Sequence, residues 1–412
     1  AKMLFGLSIV YLTFCNFKIL IRLTATDNNI NNIRSAKKIA SKPQINKSSK
    51  KVLHKTNEKV IRETQEVETP HPDSSCLLKT DSKLLVSVSL VIHSTIDRLW
   101  LMEETCHRWR GPIVLVVYFH QTNAKNNPWM QVLDWKQACP QVKLIPVPAV
   151  QGEEDWQYPV NKLRNIGLNA LETQLFLMMD VDFLPSENLE AAIQRYFLPT
   201  SEFYSLDNDS QQQQRIAMVV PAFERKNATC SSPKECQSFL TKYRQFIPRS
   251  FEEIGPCVKR GSCEVFHAEE FLEGHLTTGT ESWLKGDFSD SALKSNIPRK
   301  INCFTSYEYE PYVVLPWCNG STPYYDERFF GYGKNKIEYI SHLRFLNYSF
   351  HVLPEGFLVH YPHPKSKAHG IFRRERKYGF RKTMDDLYVD FLKGLNKTYG
   401  QPILRQCESS NQ

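Results

Sequence analysis

The 412-residue chain carries eleven cysteines but no Cys-x-x-Cys pair, so the spacing of a zinc knuckle is missing. A basic face is missing as well. Thirteen Lys/Arg stand against five Asp/Glu between Ala1 and Thr69, a net of +8. The whole chain, with 52 basic and 44 acidic residues, is also +8, so residues 70–412 hold 39 of each sign. Nucleic acid is therefore not indicated as a partner. Long apolar runs are scarce: the first, Met3 to Cys15, has 13 residues, short for a membrane span. About 19 become available if Lys18 lies near an interface. Residues 1–23 are read as a signal anchor that ties the chain to a membrane. The competing signal peptide has only a weak cleavage site at Leu23-Thr24-Ala25. Aromatics are almost absent from Thr24 to Pro72, where Asn, Lys, Ser and Glu dominate. Such sequence buries too little apolar surface to offset its chain entropy, and residues 24–80 read as a flexible basic stem.

The cysteines that are present point to an oxidising compartment. Cys15 lies in the apolar run, and ten others follow, with Cys230/Cys236 and Cys257/Cys263 spaced for local loops and the overall connectivity open. Six N-x-S/T sequons, at Asn46, Asn208, Asn227, Asn319, Asn347 and Asn396, agree with a lumenal chain.

Leu175 to Pro185, LFLMMDVDFLP, is a short apolar run ended by a turn, which fits a buried strand of an α/β sheet. Ligands collect outside the carboxyl ends of such strands, and Asp180 and Asp182 stand there. The pair reads either as a solvated turn or as a divalent-cation site. A phosphatase of the haloacid-dehalogenase type wants Thr or Val two places after the second Asp, where this chain has Leu184. The Asp-x-Asp of metal-dependent glycosyltransferases, holding Mn²⁺ or Mg²⁺ against the diphosphate of a sugar donor, fits better.

Around it, Leu84–Ile92, Ile113–Phe119, Lys143–Val147 and Ile216–Pro221 read as strands. Helical spacing marks 96–109, the segment after Tyr158-Pro159, 189–198 and 235–246. Strand and helix alternate, the pattern of a parallel, doubly wound sheet. In the helix after Pro159, Asn161, Arg164 and Asn165 share one face, either as a polar stripe or with Arg164 in reach of a diphosphate. Gln211–Gln214 reads as a solvated insertion. Later segments bring together aromatic and acidic residues of the kind found in sugar sites: His275 and Trp283, Glu310, and Asp326-Glu327-Arg328. Taken singly, each of these aromatics reads first as core. His360 closes an apolar strand, either as a packed core residue or as an imidazole that joins carboxylates around Mn²⁺.

Seven blocks in order, YPVNKLRN (158–165), FLMMDVDFLP (176–185), AMVVPAFE (217–224), GHLTTGTESW (274–283), YEPYVVLP (309–316), YDERFFGYGKNK (325–336) and VLPEGFLVHYPHPKS (352–366), resemble glycosyltransferase family 49. That family includes the glucuronyltransferase domain of LARGE-type enzymes and the β1,4-glucuronyltransferase. The LARGE-type xylosyltransferase domain has no counterpart here. The resemblance implies a GT-A fold over 81–405, type II anchoring in the Golgi membrane with the catalytic domain lumenal, Mn²⁺, and inversion at the anomeric carbon. It further implies that Asp180 contacts the nucleotide ribose or the metal, that Asp182 and His360 hold the metal, and that Asn161 and Arg164 help hold the nucleotide. The donor expected is UDP-glucuronate and the acceptor a glycan on a glycoprotein, with UDP-N-acetylglucosamine, UDP-xylose and a catalytically silent glycan-binding role as alternatives. Asp326, ahead of Glu327, is the expected base, and Arg328 and Lys336 are candidate partners for the donor's carboxylate. Assembly into homo- or hetero-oligomers stays open.

Overall fold

The apolar runs become the strands of one large sheet. In the computed structural model, residues 87–120, 139–150, 152–197, 215–226, 230–285, 297–317, 322–374 and 379–408 are described. All described residues belong to one compact unit within Thr64–Gln412. The expected anchor, the stem, the glutamine run, and Cys15, Cys76 and Cys318 lie outside the described residues. Among the described residues no helix is long and apolar enough to cross a membrane.

The large sheet contains β1 (Val88–Thr95), β2 (Ile113–Phe119), β3 (Val142–Pro148), β4 (Leu175–Asp180), β6 (Ile216–Val220), β9 (Arg299–Lys300), β10 (Tyr312–Pro316) and β11 (Ser349–Val352). Its order is β3-β2-β1-β4-β10-β6-β11-β9. Strands β1, β2, β4 and β6 are buried along nearly their whole length, as expected of a sheet covered on both faces. β3, β2, β1 and β4 are parallel, and β11 runs parallel to β6. Between these groups β10 runs antiparallel to both β4 and β6, a departure from the wholly parallel pattern of strand and helix alternation. The run YVVLP of β10 is buried like its neighbours, and composition does not encode direction.

A second sheet, ordered β5-β12-β7-β8, is built from β5 (Phe183–Pro185), β7 (Ala222–Arg225), β8 (Cys263–Val265) and β12 (Leu358–His360). Here β12 lies between β5, to which it is antiparallel, and β7, to which it is parallel. Gly356, just before β12, has φ +82°, and a Cβ there would stand 2.7 Å from Leu189 Cδ1, so this entry into β12 requires glycine.

The helix expected over 96–109 is a 3₁₀ segment, Ile96–Leu101, followed by an α-helix, Met102–Arg108. The segment after Pro159 is helical from Val160 to Asn169. A helix over Phe251–Lys259, with Pro256 in it, lies in a stretch whose little periodicity left it unassigned from sequence. Disulfides join Cys230 to Cys236 and Cys257 to Cys263, the two local loops, and also Cys106 to Cys139 and Cys303 to Cys407.

Candidate functional site

The site follows from two strand registers. In the first, β4 ends at Asp180 opposite His93 of β1, so His93 Nε2 lies 3.5 Å from Asp180 Oδ1. In the second, β5 begins directly after Asp182 and pairs with β12, which sets His360 across from Phe183 and ties Tyr361 N–H to the Asp182 carbonyl at 2.7 Å. Backbone pairing alone thus carries His360 to Asp182. Donor atoms of Asp182, His360 and His363 all lie within 4.8 Å of one another.

The two aspartates have different surroundings. Asp180 accepts from Tyr312 OH (2.8 Å), Lys336 Nζ (3.2 Å) and Arg164 Nη2 (3.3 Å). Burial would raise its pKa, but Lys336, His93 and Arg164 outweigh that and hold the carboxyl well below the usual range. Asp182 Oδ2 meets His363 Nε2 at 2.7 Å and Arg98 Nη1 at 3.1 Å. Against the burial penalty, His363, His360 and Arg98 keep it ionised. Burial pushes His360 down to about 3, so its imidazole is neutral with a free lone pair, whereas Asp182 outweighs burial at His363 and raises it. Glu224, opposite His360 across β7, sits 3.8 Å from His360 Nδ1 and is lifted by burial to about 7.

One carboxylate held ionised and two imidazoles form an oxygen–nitrogen donor set that fits a divalent cation such as Mn²⁺. Of the residues expected to hold metal, Asp182 and His360 are brought together. Asp180 is paired with Arg164 and Lys336, and the imidazole that stands with Asp182 and His360 is His363.

The other expected site residues separate into three groups. Arg164 and Lys336 line one cleft with Asp180, Tyr312 and Tyr325. Asn161, Trp283, Asp326, Glu327 and Arg328 serve the framework. Asn161 is fully buried, donating to the Asp326 carbonyl (2.9 Å) and Glu338 Oε1 (3.0 Å) while its own oxygen accepts from Arg164 Nη1 (3.0 Å). It holds the 325–338 loop and is not exposed to a nucleotide. Trp283 is 1% exposed, donates to the Leu353 carbonyl at 2.8 Å and packs on Phe223, Phe251 and Phe357, which makes it core. Asp326 receives the Arg328 backbone N–H at 3.0 Å and a bidentate clasp from the Arg328 guanidinium, so both residues are spent on each other. Glu327 is exposed and accepts from Asn165 Nδ2 at 3.0 Å. Among the described residues the partners of Asp180 and Asp182 are Lys336, Arg164, His93, Tyr312, Arg98, His360 and His363, and neither acid of this pair is one of them. The third group, Glu310 and His275, forms with His267 a second cluster whose donor atoms are mutually within 4.8 Å.

Sequence reasoning missed His93, Arg98, His267 and His363. His363 had a signal, three places beyond His360 in HYPHP, and His93 had one in ending an apolar strand. Arg98 had none, because only the tight 3₁₀ turn after β1 aims it at Asp182.

Against known proteins, residues 125–400 match the profile of glycosyltransferase family 49, described as glycosyl-transferase for dystroglycan. The chain belongs to glycosyltransferase family 49. Its family 49 relatives include the xylosyl- and glucuronyltransferase LARGE2 of Rattus norvegicus, 30% identical over 325 residues that span 79% of this chain and 41% of that one. LARGE2 of Mus musculus is 31% identical over 79% of this chain and 41% of its own, and LARGE1 of Mus musculus 27% identical over 79% and 37%. The family 49 chain therefore spans about two-fifths of the length of these relatives. Among solved structures, GalNAc-T7 with UDP, GalNAc and Mn²⁺ aligns at a TM-score of 0.36 and 10% identity, over 86% of this chain and 65% of that one. S. aureus TarS aligns at 0.32 and 10%, over 76% and 72%.

Proposed function

We propose that this family 49 chain transfers a sugar, glucuronic acid first among the candidates, from a UDP-sugar to a glycan on a glycoprotein, with Mn²⁺ bound and with inversion at the anomeric carbon. The observation that carries the reading is the convergence of Asp182, His360 and His363 beside Asp180, from segments far apart in the chain. The relatives' names, xylosyl- and glucuronyltransferase, and the family's description by dystroglycan support the choice of donor and of a glycoprotein acceptor. A GT-A fold, and a Golgi enzyme anchored through residues 1–23 with its catalytic domain in the lumen, complete the proposal.

In this reading Asp182, His360 and His363 are the protein's ligands to the cation. Bound there, Mn²⁺ would neutralise charge that develops on the departing UDP. The chain's own groups do the rest. Arg98 holds Asp182 and His363 in register, donating 3.1 Å to the first and lying 3.0 Å from Nδ1 of the second. Arg164, Lys336 and Tyr312 fix Asp180, which faces the nucleotide. Lys336, also 4.4 Å above the Tyr312 ring, supplies positive charge on the same side for the donor's anionic groups.

The test is calorimetric titration of the full chain with UDP, with and without Mn²⁺, followed by UDP release from UDP-glucuronate, UDP-N-acetylglucosamine and UDP-xylose. Mn²⁺-dependent UDP binding and turnover of UDP-glucuronate are expected. Binding without turnover of any donor would turn the assignment to a silent glycan-binding member, and UDP binding indifferent to metal would refute it.

A further inference from the structure

The inverting step needs a base, and the acids in YDERF do not offer one. Asp326 is clasped by Arg328, and Glu327 is held by Asn165. Beside the candidate metal set, Asp180 and Asp182 are paired with cations, and Glu224 accepts the His267 backbone N–H at 2.8 Å. Glu310 differs from all of these. Its backbone N–H is anchored to the Gly274 carbonyl at 2.9 Å, which fixes the position of the residue, while among the described residues nothing donates a hydrogen bond to its carboxylate. It is the residue immediately before Pro311 and Tyr312, which line the cleft with Asp180 and Lys336.

Two imidazoles accompany it. His275 is 3% exposed and meets the edge of Phe266, and His267 lies flat on Phe266 with a ring separation of 3.7 Å at φ +59°. His275 Nε2 and His267 Nδ1 are both buried without a hydrogen-bond partner among the described residues. Buried polar atoms are normally satisfied, so an orphan pair facing one carboxylate beside a cleft marks a place for a polar group from outside. Lys336 adds positive charge beside His267, His275 and Glu310 alike. A sugar hydroxyl, which both donates and accepts, suits the three groups.

We propose that Glu310 takes the proton from the acceptor hydroxyl during sugar transfer, and that His267 and His275 position that hydroxyl. This rests on the sugar-transfer reading above. The acceptor O–H bond breaks with its proton passing to the Glu310 carboxylate, and the oxygen's electron pair forms the new bond to the anomeric carbon. The bond from that carbon to the UDP phosphate oxygen breaks, and its electron pair leaves with the phosphate. Both imidazoles suit the role because burial holds His267 at about 4 and His275 well below its ordinary value, so each is neutral. Burial raises Glu310, against the pull of Lys336 and Arg164 and with the push of Asp180 and Glu308, which makes it a stronger base than an exposed carboxylate.

The experiment compares wild type with Glu310→Gln in the full chain, using UDP-glucuronate, Mn²⁺ and a panel of p-nitrophenyl glycosides as acceptors. Expected is a kcat lower by about 10² to 10⁴-fold with Mn²⁺-dependent UDP affinity kept within about threefold. Wild type should also lose activity as pH falls through the raised Glu310 value, and that limb should vanish in the variant. If Glu310→Gln fails to fold, Glu310→Asp, which withdraws the carboxylate by one methylene, should lose about 10²-fold in kcat with UDP binding intact. Transfer by Glu310→Gln above a tenth of wild type, or a change in KM alone, would overturn the assignment while leaving the sugar-transfer reading standing. Two divalent ions per wild-type chain against one in Glu310→Gln would also overturn it, by making the cluster a metal site. A wild type that binds no UDP with Mn²⁺ would sink the sugar-transfer reading itself, and this one with it.

Discussion

At residue scale, Asp182 and His363 are groups on which the proposed metal site turns; the first was read from the sequence, and the second was passed over despite its place in HYPHP. Asp182→Asn keeps the size of the side chain but removes the charge that Arg98 and His363 surround. Loss of Mn²⁺-dependent UDP binding is the expected result by calorimetry. His363→Ala should cost at least the roughly 10- to 100-fold in apparent Mn²⁺ affinity that removal of an outer partner costs. An unchanged affinity would return the third place to another group. Asp326→Asn makes a contrast: it breaks the clasp with Arg328, and the melting temperature should fall while more than a tenth of the transfer rate survives.

At the scale of elements, the helix Val160–Asn169 and the helix Ile337–Phe345 are joined through Glu338. This residue is fully buried, with Oε1 accepting from Asn161 Nδ2 and the Asp326 N–H and Oε2 without a partner among the described residues. Burial raises it well above the ordinary value of 4.5, which favours the protonated form in the folded chain. A raised carboxyl costs nothing below its unfolded value and costs progressively more as pH climbs from there towards the folded one. Glu338→Gln should therefore match wild type in melting temperature near pH 4.5 and exceed it near pH 7.5, as calorimetric scans at the two pH values would reveal. A difference of the same size at both values would contradict the assignment. Strand existence was legible here and strand direction was not. The runs 113–119, 175–180 and 216–220 were apparent from their apolarity, whereas composition carried no signal of the reversal of β10. The site was legible where chemistry sits at strand ends, as at Asp182 and His360. It was illegible where a side chain such as Asn161 or Trp283 meets partners distant in sequence, because a polar stripe and an aromatic look the same whether they face a ligand or the interior.

At the scale of the molecule, the Cys303–Cys407 bridge links two positions 104 residues apart, and a loop of that size carries a large closure entropy. Its loss through paired Cys303→Ser and Cys407→Ser changes should destabilise the fold by about 2–5 kcal/mol in urea titration, by far more than a surface substitution. The bridge also secures the end of the chain beyond the helix Phe380–Tyr399, which packs through Phe380, Met384 and Leu387 on Phe329 and Ile337. Compactness around the cleft is thus drawn from residues well past the last metal-binding candidate.

The pairing of β5 with β12 bears on biosynthesis. A growing polypeptide that has just exposed Asp182 still has no imidazole to meet it, since the strand that bears His360 is made some 178 residues later. Messages truncated between Asp182 and that strand would yield a product with its acidic half-site and neither histidine, and no later folding step could repair the omission.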